Sequence, residues 1–228
     1  MFFDPNYLIL VFIPALILSL GAQFLVMSAF NKWSRVRNSL GLTGVQVAER
    51  IINAAGLNGV KLEGVPGQRT DHYDPRTHIV RLSEEVATRP SVAAMAVVAH
   101  ELGHAQQHQE RSVLIQMRNF LVPAMQISPN VAIMLIFVGL FFRLTGLLWI
   151  GIAFYGVVVL FMILTLPVEF DASRRGLKLL NQASLMVAPE DTNGARQVLT
   201  AAALTYVAAA ITAVLNLLYY VSIANRRR

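Results

Sequence analysis

Cysteine is absent from the 228 residues, which excludes disulfide scaffolds, zinc ribbons, iron–sulfur clusters and thiol catalysis. Charge is scarce as well. Only 14% of the residues are charged and 55% are hydrophobic, where an average soluble domain has about 25% charged and about 45–50% apolar. So much apolar surface excludes intrinsic disorder and points to membrane spans. Acidic residues are outnumbered by basic ones, 13 against 19, for a net charge of +6. The basic residues stand beside apolar runs, at 31–37, 174–178 and 226–228, a placement suited to anionic lipid headgroups. No nucleic-acid recognition motif accompanies them, so no nucleic-acid partner is expected. A basic leader is missing too. Residues 1–6 contain no Lys or Arg, and the apolar run 7–30 exceeds the ~20 residues that cross a bilayer core, so it is read as a retained span.

Beyond the first span the texture of the chain changes. Lys32, Arg35 and Arg37 place the N-terminus outside and the next segment in the cytoplasm. Residues 39–114 mix charged, polar and apolar side chains and are expected to be water-soluble. Thr43 caps a helix over 45–55 that Gly56 stops. A short strand is expected at 60–62, turns at Gly64–Pro66–Gly67 and at 71–75, and a strand at 77–82 ended by Ser83. Residues 91–109 form a long helix. Apolar sequence returns at 120–166, too long for one crossing, so two spans (120–142 and 145–166) meet at a turn over 143–146. Pro123, Gln126, Pro129 and Asn130 make the first of these irregular. A charged helix is expected at 168–182, then a loop at 186–193 with Asp191 or Thr192 capping a last apolar segment, 195–224. If that segment is a fourth span, Arg226–Arg228 fall outside, against the positive-inside rule; a re-entrant or domain-packed helix is the other arrangement.

The chemistry lies in His100-Glu101-Leu102-Gly103-His104, an H-E-x-x-H motif on the helix 91–109. Residues four apart share one helix face, so both imidazoles can reach one ion. Zinc favours nitrogen ligands and keeps a position open for water in a catalytic site. Glu101 lies about 100° round the helix from His100, placed to take a proton from that water rather than to bind the metal. The run Ala93–Ala99 marks the helix as buried, and buried imidazoles and a carboxylate need partners, which a metal supplies. His108 is one turn beyond His104; three successive turns of a straight helix cannot surround one tetrahedral ion, so His108 is expected to support or pack against the site. The third ligand should be a carboxylate from Glu84, Glu85, Glu110, Glu169, Asp171 or Glu190. Glu169 stands out, in a helix just after a span. Ser173, four residues on, can hydrogen-bond a metal ligand, whereas Asp171 faces away from Glu169.

The stretches 71–83, 97–108 and 166–176 together resemble the neutral zinc metallopeptidases of bacterial membranes, the YugP-like family. More distantly they are similar to gluzincin membrane proteases such as the CAAX prenyl proteases and the heat-shock membrane endopeptidases. The gluzincin motif Glu-x-x-Ala-Asp aligns with Glu169-Phe170-Asp171-Ala172-Ser173, with Ser173 in place of the Asp that orients a zinc histidine. The resemblance implies Zn2+ held by His100, His104 and Glu169, with Glu101 as general base. Candidate donors to the oxyanion are His72, Tyr73, His78 and Arg174. An extended peptide substrate is expected to add to the edge of the strand 77–82.

The expected architecture is a mainly α membrane protein with three to four transmembrane helices plus a small α+β zincin-like catalytic domain with a short sheet. Its segments are a span (1–30), a soluble domain carrying the motif helix (31–118), a transmembrane hairpin (119–167), a helix with the third ligand (168–195), and an apolar helix with a basic tail (196–228). The expected function is a membrane-embedded zinc endopeptidase in a bacterial inner membrane, its catalytic domain facing the cytoplasm. Its partners are the lipid bilayer and membrane-associated or misfolded protein substrates. The alternative is a non-catalytic membrane scaffold or chaperone-like protein with a structural zinc site.

Overall fold

The computed structural model describes residues 5–226, so Arg227 and Arg228 of the basic tail lie outside the described residues. The chain divides into two compact units. One comprises Met1–Ala22, Gln116–Val168 and Thr205–Arg228, and the other Gln23–Ile115 and Glu169–Leu204. Helix dominates, and among the described residues four helices are long and apolar enough to cross a membrane. These are α1 (Pro5–Trp33), α5 (Val113–Phe141), α6 (Thr145–Gln182) and α7 (Pro189–Asn225). With them goes a three-stranded sheet, so the chain is a mainly α membrane protein with a small α+β part.

The first unit holds apolar stretches of all four long helices. Its α5–α6 hairpin turns at residues 142–144, with Arg143 in the left-handed region at φ 58°. Close crossing depends on small residues, as packing in lipid generally does. A Cβ on Gly139 would stand 2.7 Å from the Leu148 nitrogen, and one on Gly151 would stand 2.8 Å from the Ile136 nitrogen. Helix α5 differs from expectation in being continuous through Pro123 and Pro129 and in starting at Val113. Helix formation is so favourable in an apolar span that a missing donor is absorbed by local adjustment. For the same reason α6 runs on through Pro167, joining the expected third span and the charged helix into one rod.

In the second unit the elements are α2 (Gly44–Ala55), β1 (Lys61–Val65), β2 (His72–Asp74), β3 (Ile79–Ser83), α3 (Glu84–Thr88) and α4 (Val92–Gln109). Thr43 and Gln46 form a reciprocal capping box at the start of α2, and Gly56 ends it at φ 65°. The core gathers Val47 and Ile51 of α2, Val80 and Leu82 of β3, Met95, Val98 and Leu102 of α4, and Leu179 and Leu180 of α6. The strand order is β1-β3-β2, with β1 parallel and β2 antiparallel to β3.

Three expectations fail here. Residues 71–75 are not a simple turn, because His72–Asp74 pairs with β3, Tyr73 opposite Val80. The turn comes later, where the Asp74 carboxylate accepts from the Arg76 N–H at 2.9 Å and the Thr77 hydroxyl at 2.8 Å. Those bonds, with the Arg81 guanidinium at 3.1 Å, lower the Asp74 pKa to about 2. Nor can β3 offer an edge to a peptide, since it is the central strand; the sheet edges are β1 and β2. The expected loop at 186–193 is also shorter. Helix α7 begins at Pro189, and buried Asp191 accepts from the backbone N–H groups of Ser39, Val187 and Ala188.

Candidate metal centre

Ser91 starts α4 by accepting the Ala94 N–H at 3.1 Å, and the small residues after it allow the helix to be buried nearly all round. His100 and His104, one turn apart, present their rings 4.8 Å from each other. Helix α6 brings Glu169 to them because two glycines let the helix backbones approach. A Cβ on Gly103 would collide with the Ala172 carbonyl, and one on Gly176 would stand 2.9 Å from the Ala99 carbonyl oxygen. Gly103→Ala is therefore expected to lower stability by about 1–3 kcal/mol and to weaken metal binding, read by thermal unfolding and zinc titration. Gly156→Ala, where nothing lies within 4 Å of the added Cβ, is the matched control and should unfold at or above the wild-type temperature.

The Glu169 Oε2 atom lies 3.3 Å from His100 Nε2 and 3.5 Å from His104 Nε2. It is buried and has no hydrogen-bond partner among the described residues. A tetrahedral zinc with ligands at ~2.0–2.1 Å sets neighbouring ligand atoms ~3.3 Å apart; both Glu169–imidazole distances suit such an ion, and the three ligand atoms lie within 4.8 Å of one another. Charge agrees with geometry. Burial opposes a proton on His104, yet Glu169 and Glu101 hold its pKa above the ordinary value, the mark of a cradle that attracts a cation.

Each ring is also held from its far side. The Ser173 hydroxyl is 3.2 Å from His100 Nδ1, and the Gln107 amide oxygen is 3.0 Å from His104 Nδ1. Glu101, next to His100 in the chain, is buried, and its Oε2 accepts the Tyr73 N–H of β2 at 2.9 Å. The Tyr73 hydroxyl lies 3.0 Å from His78 Nδ1 and 3.2 Å from His108 Nδ1. Burial, with the Asp74 charge, pushes the Tyr73 phenol up to about 12, so it stays a proton donor. Burial and the neighbouring His78 lower the His108 pKa.

The remaining acidic candidates are elsewhere. Glu85 pairs with Arg89 and Glu110 with Arg175, while Asp171 accepts from Gln107 and Arg175. Glu84 and Glu190 are exposed in the first turns of α3 and α7. Arg174 is exposed, and exposed His72 is held by the Thr70 carbonyl at 2.8 Å. Gln107 is the residue that sequence reasoning missed. Its one visible signal is spacing: three residues after His104 puts it on the same helix face.

Known proteins are similar to this chain over most of its length. The profile of a family described as "Putative neutral zinc metallopeptidase" matches residues 8–225. The chain belongs to this family. It is 43% identical over 211 residues to "Putative membrane protease YugP" of Bacillus subtilis (strain 168), covering 92% of this chain and 93% of that one. No solved structure matches the chain. The family is a zinc one, and His100, His104 and Glu169 form a group able to hold the metal.

Proposed function

We propose that the chain is a membrane-embedded zinc endopeptidase in which His100, His104 and Glu169 hold the metal and Glu101 carries the proton. The observation that supports this most is the convergence of three ligand atoms, one of them a buried carboxylate oxygen without a hydrogen-bond partner, beside a second buried carboxylate. When bound, zinc supplies a Lewis acid and makes water a nucleophile near neutral pH. Glu101, oriented by the Tyr73 N–H, accepts the proton of the attacking water and delivers it to the leaving amine. Ser173 and Gln107 keep the two rings aimed. Buried Tyr73, joined to Glu101 through its backbone, and His78, bonded to the Tyr73 hydroxyl, are the favoured donors to the oxyanion, ahead of Arg174 and of His72, which the Thr70 carbonyl holds.

Substrates on this reading are membrane-associated or misfolded proteins, because Glu169 lies only three residues beyond the apolar run ending at Leu166. Lys32, Arg35, Arg37, Arg111, Arg118 and the basic residues at 174–178 favour a cytoplasmic face for the catalytic part, in a bacterial inner membrane. The test uses detergent-purified full-length protein and unfolded casein. Cleavage should stop on treatment with a chelator and return with stoichiometric zinc. Cleavage indifferent to the chelator, or none from zinc-loaded protein, overturns the proposal.

A further inference from the structure

We propose that Gln107 and Asp171 are positioning residues that set the proton arrangement of His104, an inference that rests on the proposed role of His104 as a metal ligand. Gln107 is fully buried on α4, and its amide lies between the His104 ring and a carboxylate of α6. Asp171 Oδ2 stands 2.8 Å from Gln107 Nε2, and Gln107 Oε1 stands 3.0 Å from His104 Nδ1.

The order of these contacts leaves one proton arrangement. An ionised carboxylate only accepts, so the NH2 end of the amide must face Asp171. The oxygen end then faces His104 and also only accepts, so His104 Nδ1 must carry the hydrogen. In the neutral imidazole, the form that binds a metal, Nε2 is then the unprotonated nitrogen, its lone pair on the side of Glu169 Oε2. Asp171 thus selects the metal-binding tautomer of an imidazole it does not touch, through a neutral amide.

Asp171 is itself fixed. Arg175, four residues along α6, donates to its Oδ2 from Nε at 2.7 Å and reaches Glu110 with a second nitrogen at 2.6 Å. Glu110 comes directly after the last turn of α4, so the chain of contacts ties the end of that helix to α6. His100 has no such support, because its Nδ1 meets the neutral Ser173 hydroxyl at 3.2 Å. Of the two rings, His104 is the one backed by a charge.

The test measures zinc affinity by chelator competition on full-length protein in detergent. It also follows the imidazole nitrogens by NMR with 15N-histidine, which is practical because the chain has five histidines. Zinc-loaded wild type should show a hydrogen-bonded Nδ1–H on His104. Gln107→Met keeps the volume and loses both polar ends; it should lose that signal and weaken zinc binding about 10–100-fold. Gln107→Glu sets a carboxylate against Asp171 and should also bind weakly. Gln107→Glu combined with Asp171→Asn restores a donor facing an acceptor and should recover most of the affinity, a result that simple filling of the core does not predict. The proposal is overturned if Gln107→Met binds zinc as wild type does with the Nδ1–H signal unchanged, or if the double variant is no better than Gln107→Glu. Wild-type zinc affinity in His104→Ala would instead overturn the ligand reading beneath it.

Discussion

Glu101→Gln should abolish casein cleavage while leaving zinc bound. The substitution is nearly isosteric, and the Gln oxygen can still accept the Tyr73 N–H that Glu101 accepts at 2.9 Å, so β2 stays docked on α4. None of the three ligand atoms is altered. What disappears is the basicity needed to take a proton from water. Positioned general acid–base groups contribute about 10²–10⁴ in rate, and here one group both removes and returns the proton, so activity should fall by about 10³ or more. Zinc content by metal analysis and the unfolding temperature should match wild type. This result also separates the peptidase from a scaffold with structural zinc, since a purely structural site has no use for a base. Equal cleavage by wild type and variant would falsify the assignment of Glu101.

Helices α2 and α4 of the second unit are legible in the sequence because their signals are local, whereas the short α3 is not expected from it. Thr43, Gln46 and Gly56 bound α2 through bonds made within a few residues, and Ser91 does the same for α4. Strand β2 is illegible for the opposite reason. His72–Asp74, preceded by Asp71 and ending in a second Asp, reads as a turn, and only distant partners make it a strand: Val80 across the ladder and the Glu101 carboxylate. Pro123, Pro129 and Pro167 mislead in the other direction. They are strong breakers in water, but in an apolar segment the chain has no better alternative than to stay helical.

The site divides along the same line. His100, Glu101 and His104 belong to one helix, so spacing alone puts them together. Glu169 and Ser173 can be singled out because residues four apart share a face of α6, and the structure sets both against the motif helix. Gln107 cannot. In the run Gln106-Gln107-His108-Gln109-Glu110 it looks like one of several solvated polar residues at a helix end. Its burial comes from α6 passing close enough for Asp171 to reach it, which in turn depends on Gly103 and Gly176. The same closeness turns Asp171, which points away from the metal on helical geometry, into a contact of the metal-binding network.

Glu169→Gln gives the second large effect, and its size should grow with the metal. In wild type without zinc, the Glu169 oxygen is a buried carboxylate atom with no hydrogen-bond partner beside two imidazoles. Burying such a charge costs several kcal/mol unless it is compensated. The two imidazoles supply that compensation and hold the Glu169 carboxyl below the usual carboxylate range, so the neutral amide gives up a favourable contact and the metal-free variant should unfold at or below the temperature of metal-free wild type. Adding zinc widens the difference. A ligand that binds only the folded protein stabilises it by RT ln(1 + [L]/Kd), ~2.7 kcal/mol at a hundredfold excess over Kd, and wild type should gain at least this. The variant has lost the one anionic ligand of three, a greater loss than the ~10–100-fold seen when only a supporting partner goes, and should show little zinc-dependent shift and no cleavage. Asp171→Asn is the discriminating companion, since it keeps all three ligands and should retain a reduced but measurable zinc response. If Glu169→Gln instead binds stoichiometric zinc with wild-type affinity, the third ligand lies elsewhere and the convergence of α4 and α6 on this carboxylate is structural only.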